Sequence, residues 1–181
     1  ELAKEIKEKI RNLKLETRNS VNGYWIPRKN WFLGRFLMKG GVYPDYTLRL
    51  YRRGKGKLPQ KDVHEQAVVE GKVGHLQNAL LHYPYKSFGV YLSKWNRYNN
   101  LISSQIREEQ EGKNGVSKLM FGLGYLFIKP LHWMVTTYAR HKGFMDSWQG
   151  FIFSFFSALR FPVSYIKYLL ASSKKFRCQI N

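Results

Sequence analysis

The sequence predicts a mixed α/β fold in the order helix, strands, helices, and three observations predict it. Apolar residues at helical spacing occupy the first sixteen positions, period-two alternation and turn residues fill the stretch to about residue 84, and long aromatic helical runs follow from 87 onward. The 181 residues suffice for one domain with a core, or for part of a larger one.

Residues 1–16 read as an amphipathic helix. Leu2, Ile6, Ile10 and Leu13 recur three and four apart, and Glu5 precedes Lys9 by one turn. From about 21, "NGYWIPRKNWFLG" offers an Asn-Gly turn and a β-rich run. "YTLRLYRR" then alternates Leu48 and Leu50 with Arg49 and ends at the glycine turn "GKGK". "VHEQAVVEGKVGHLQNALLHYPY" predicts a short helix to about Glu70, a Gly-flanked turn, and an apolar strand into His82 that Pro84 stops.

The helix "FGVYLSKWNRYNNLISSQI" places Tyr91, Trp95, Tyr98, Ile102 and Ile106 on one face, before a polar loop "REEQEGKNG". Two apolar segments follow, around 116–139 and 150–170. Lys129, Pro130 and His132 interrupt the first, and Arg160, Pro162 and Lys167 the second, so neither is a clean span of roughly 20 apolar residues. Both fit interfacial helices with aromatic faces in the lipid boundary, or helices that bury those faces on the domain. The organisation expected is 1–86, an amphipathic helix over 87–110, and an aromatic-rich, basic helical region over 115–172.

Charge narrows the partners. Lys and Arg number 31 against 12 Asp and Glu, a net +19, so the chain seeks polyanions: nucleic acid, anionic lipid or a phosphorylated substrate. An aromatic share of 16% suits a folded or membrane-lying protein better than a nucleic-acid tail. Cys178 is the one cysteine, which excludes an intrachain disulfide and a cysteine-rich zinc site. A Walker loop, GxGxxG, zinc-finger and RNA-recognition spacing are all missing.

Acidic residues are sparse after Glu16, and three of them, Asp45, Asp62 and Glu65, fall in or beside the basic stretch 40–66. Glu65, in "VHE", is either a proton-accepting carboxylate or a first-turn residue that caps a helix. His64 and His82 sit at element ends, where loops gather into sites, and His82 is the better placed for a metal or phosphate. Arg49, Arg52, Arg53, Lys55 and Lys57 suit a diphosphate, since Arg offers a bidentate fork; a basic hairpin on nucleic acid looks similar.

The order of "NWFLGRFLMKGGVYPDYTLRLYRRGKGK", "VHE", "GKVGHLQNALLHYPY", "YLSKWNRYNN" and "KGFMDSWQGFIFSFFSA" resembles the second half of bacterial family 2 glycosyltransferases, nearest the lipopolysaccharide-core and cell-envelope sugar transferases. That resemblance runs over about residues 1–170. It implies the C-terminal part of a GT-A nucleotide-sugar transferase fold within 1–86, followed by membrane-associated helices. It implies inverting transfer from a nucleotide-sugar donor to a glycan or lipid-linked acceptor, peripheral to an anionic membrane surface on the cytoplasmic face of the inner membrane. Glu65 matches the catalytic base. Arg49, Arg52, Arg53 and His82 match donor diphosphate positions, His82 also reaching the metal, while Gly40, Gly41, Tyr43, Asp45 and His64 shape the acceptor loop.

The family's divalent metal, Mg or Mn, is held by an Asp-x-Asp motif that this chain does not contain. A chain that opens at "ELAKEIKEKI" therefore reads as a piece starting downstream of that motif, inactive by itself, and no nucleic acid is expected. The alternative is a non-enzymatic basic module for nucleic acid or anionic membrane.

Overall fold

A computed structural model describes residues 1–13, 21–58 and 66–178. The chain is mixed α/β and divides into two compact units: 1–31 with 42–84, and 32–41 with 85–181. The expectations on His64 and Glu65, and on Asp62, lie outside the described residues.

In the first unit, α1 (Leu2–Leu13) lays Leu2 and Ile6 on a core of Tyr24, Ile26 and Leu76. Ile10, expected on that packed face, is 44% exposed instead. Glu5 fixes the helix from another side: its carboxylate accepts the backbone N–H groups of Gln77 at 2.8 Å and Asn78 at 2.9 Å. Burial pushes the Glu5 carboxyl up, but these hydrogen bonds, one from the Asn78 side chain and the charge of Lys9 outweigh it. The net shift is below the usual 4.5.

Strand β1 (Gly23–Phe32) organises this unit. It pairs antiparallel with β3 (Asp45–Tyr51) and parallel with both β6 (Val73–His75) and β7 (Leu80–His82). The Asn-Gly pair at 22–23 does not turn. Gly23 opens β1, and a Cβ there would stand 3.2 Å from the Leu50 carbonyl oxygen, so close strand approach selects the glycine. The register of β1 on β3 shifts at Tyr24 and Trp25, which leaves Arg49 without a partner residue in the ladder and exposed. Leu48 is buried, Arg49 exposed and Leu50 half-buried, as the alternation expects, while Thr47 before them is buried as well.

The short helix expected to reach Glu70 is replaced, over its described part, by extended chain. Val68–Val69 forms β5 and pairs antiparallel with β4 (Gly56–Lys57). Two adjacent β-branched residues favour this outcome.

The second unit contains β2 (Arg35–Leu37), α2 (Phe88–Gln110) and α3 (Gly115–Leu123), with π-helical turns at 124–128 and 135–140 flanking α4 (Lys129–Met134). A 3-10 turn at 143–146 leads into α5 (Ser147–Cys178). Ser87 caps α2 by accepting the Val90 N–H, and Asn114 caps α3 by accepting the Ser117 N–H at 2.8 Å. Helix α2 continues through Glu108 and Glu109, which were expected in a loop.

The buried face of α2 differs from the aromatic stripe expected. Tyr91 and Ile106 are buried, but so are Asn99, Ser103 and Gln110, while Tyr98 is exposed. The reason is the partner helix: Ser164 of α5 donates to Asn99 Oδ1 at 3.3 Å, a contact between short polar side chains that brings backbones close. Trp95 Nε1 donates to the Phe156 carbonyl at 2.9 Å, and Tyr91 packs between Phe32 and Phe156. Pro130 falls in the first turn of α4 and Pro162 inside α5, and both helical runs continue past them. No helix among the described residues is long and apolar enough to cross a membrane.

Candidate functional site

The register of the first unit brings four polar side chains to one place. Arg28 and Asn30 are two residues apart on β1 and so share a face. Asp45 is the β3 partner of Arg28, and His82 is the β7 partner of Asn30. Arg28 Nε and Nη2 donate to Asp45 Oδ2 at 2.9 and 2.5 Å, and Asn30 Nδ2 donates to the same oxygen at 2.8 Å.

The other end of Asn30 reaches His82, with Oδ1 2.7 Å from the ring Nδ1. An amide oxygen only accepts, so Nδ1 carries the proton in this contact. All these groups are half-buried. The network thus fixes a carboxylate, through an amide, to a histidine. Such a set can position polar ligand groups and take up a proton.

Lys29 and Trp31 alternate with Arg28 and Asn30 and so belong to the other face of β1, where Lys29 Nζ stands 5.8 Å from the Tyr43 ring centroid and Trp31 and Tyr83 contact at 5.6 Å. Asp45, expected in the acceptor loop, thus joins His82 in one network through Asn30, whereas the contact of Tyr43 is with Lys29.

The arginines expected with His82 separate from it. Arg49 stands four residues and Arg52 seven residues along the chain from Asp45, about 13 and 23 Å at strand rise. Arg49 and Arg53 are exposed. Arg52 lines a cavity of about 300 Å³ with Ile10, Tyr24, Leu50 and Tyr51, a largely apolar enclosure. The described structure thus puts Arg52 and Asp45 toward opposite ends of β3.

Gly40 and Gly41 belong to the second unit and are held there. Both have positive φ, 67° and 75°, which only glycine adopts readily at two consecutive positions. Asp146, 2% exposed, accepts the N–H groups of Met38 at 2.9 Å and Lys39 at 2.7 Å, with Arg35 3.7 Å away. The Gly40 N–H donates to the His141 carbonyl at 2.9 Å.

Sequence reasoning missed Arg28, Asn30 and the pinning role of Asp146. The signal for the first two was present: in "WIPRKNWF", polar residues two apart interrupt an otherwise aromatic strand. Asp146 carried no such sign. Among the described residues no group of three or more His, Cys, Asp and Glu gathers, so a metal at His82 would need ligands beyond these.

Comparison with known proteins finds similarity over most of the chain. A lipopolysaccharide core biosynthesis glycosyltransferase, LpsC, of Rhizobium meliloti (strain 1021) is 28% identical over 169 residues, which covers 88% of this chain and 59% of that protein. The chain thus spans under two thirds of the length of this relative. No family model and no solved structure matches.

Proposed function

We propose that this chain is the acceptor-side part of a family 2, GT-A-type glycosyltransferase that moves a sugar, with inversion, from a nucleotide-sugar to a cell-envelope glycan or lipid-linked acceptor. The observation that carries the reading is the similarity to a lipopolysaccharide core glycosyltransferase across 88% of the chain. The Asp45–Asn30–His82 network supports it, since it offers hydrogen-bonding groups of the kind that sugar hydroxyls take.

In the proposed reaction, Glu65 accepts the proton of the acceptor hydroxyl as that oxygen attacks the anomeric carbon and the nucleoside diphosphate departs from the opposite face. The Asp45 carboxylate holds acceptor hydroxyls, with Tyr43 and the tight turn at Gly40 and Gly41 shaping the approach and His64 beside the base. A divalent ion, Mg or Mn, supplies charge neutralisation on the donor, and His82 is the described side chain offered to it. The reaction takes place at the cytoplasmic face of the inner membrane.

The test is direct. The intact cellular protein is incubated with a panel of nucleotide-sugars and truncated lipopolysaccharide-core acceptors, and products are read by mass spectrometry. An acceptor heavier by one sugar residue supports the reading, and an unchanged acceptor with every donor contradicts it.

A further inference from the structure

Along residues 115–140 one helical surface is apolar and open to solvent. Val116, Met120, Leu123, Phe127, Leu131 and Val135 recur three or four apart, and their exposures run from 43% to 73%. Repeated spacing of four drifts around an ideal α-helix of 3.6 residues per turn. The π turn at 124–128 adds a residue to its turn and keeps the stripe near one line.

The other side of the same run is the side that packs. Gly122 is buried under Tyr165, and both Tyr125 and Trp133 contact Phe161, at 5.8 and 5.9 Å. The apolar surface continues past the run: Tyr138 touches Phe144 and Phe151, and Phe144, Met145 and Trp148 are each more than half exposed.

Charge identifies what covers this surface. From residue 112 to 181 the chain has ten Lys and Arg and a single acidic residue, Asp146, which is buried and hydrogen-bonded. Lys113, Lys118, Lys129, Arg140 and Lys142 are all exposed on the run that bears the stripe or just beyond it. Apolar side chains flanked by exposed cations, with exposed aromatics at one end, match an anionic bilayer surface. No described helix is fit to cross that bilayer.

We propose that the stripe from Val116 to Val135 is a membrane-docking face that lies in the interface of an anionic bilayer. The stripe sinks to the acyl boundary while the flanking lysines and arginines meet the headgroups, and Phe144 and Trp148 extend the contact. The proposal rests on the membrane-surface reading above for its acceptor, not for its test, because vesicle binding is measured without any sugar donor.

The test is flotation of the chain with vesicles of phosphatidylcholine alone or mixed with phosphatidylglycerol, at 0.15 M salt. The double variant Phe127→Glu, Leu131→Glu is compared with wild type. Both positions are exposed, so the variant keeps the wild-type melting temperature. The expected result is binding to the anionic vesicles that falls at least tenfold in the variant and is weaker on phosphatidylcholine alone.

Wild-type-like vesicle binding by the variant overturns the proposal, as does no binding by wild type. A wild-type dimer in sedimentation that the variant dissociates, without vesicle binding, also overturns it and assigns the face to a second copy of the chain.

Discussion

Asn30 ties Asp45 to His82: its amide nitrogen donates to Asp45 Oδ2 at 2.8 Å while its oxygen stands 2.7 Å from His82 Nδ1. The tie puts the proton of this contact on Nδ1 and fixes the ring's position. Asn30→Ala removes both bonds and leaves Asp45, among the described residues, with the Arg28 guanidinium. The expected outcome is a loss of about 1–2 kcal/mol of stability in urea denaturation.

Asp146 holds a backbone turn. Asp146→Ala orphans the N–H groups of Met38 and Lys39 in a nearly dry place, at a cost of about 2–4 kcal/mol. Asp146→Asn keeps one acceptor oxygen and costs less. Chemical denaturation of both variants checks the ordering.

Gly122 is required by a ring. A Cβ at this position would meet Tyr165 Oη, with Cζ at 2.8 Å. Gly122→Ala is expected to destabilise the helical unit by about 1–3 kcal/mol. Tyr165→Phe in the same chain removes the hydroxyl and recovers part of that cost, which a double-mutant cycle measures.

Glu5 makes the docking of α1 pH-dependent. Its carboxyl is held below the usual 4.5, so the folded state favours the ionised form. The contribution is complete above the unfolded value and is lost as pH falls through the lower folded value. Amide exchange at Gln77 and Asn78 should accelerate in wild type beyond its intrinsic trend as pH drops below the usual 4.5 and through the lowered folded value, and Glu5→Gln should remove that extra dependence.

The sequence made some of this legible and hid the rest for physical reasons. Leu2 and Ile6 announced the packed face of α1, and the charges and prolines in both late apolar segments rightly argued against a spanning helix. The bulge at Arg49 was invisible because it depends on the register of β1 against β3. Val68 and Val69 became a strand because Gly56 and Lys57 were available to pair, a tertiary fact that local spacing does not carry.

The site divided in the same way. His82 could be named from its place at an element end, and Asp45 as a scarce acid that the family resemblance puts in the acceptor loop, but their connection could not. It requires β3 and β7 to pair on the same strand at residues two apart, which brings in Arg28 and Asn30. Arg52 went the other way, since its attractive basic neighbourhood in sequence lies at the far end of β3 from Asp45.

The central claim is that sugar transfer occurs here with Glu65 as the base. Its most direct test is the steady-state kinetics of transfer by the intact protein, wild type against Glu65→Gln, on a lipopolysaccharide-core acceptor. The account predicts a fall in kcat of about a hundredfold or more with little change in acceptor KM. A Glu65→Gln protein that turns over at the wild-type rate would contradict it.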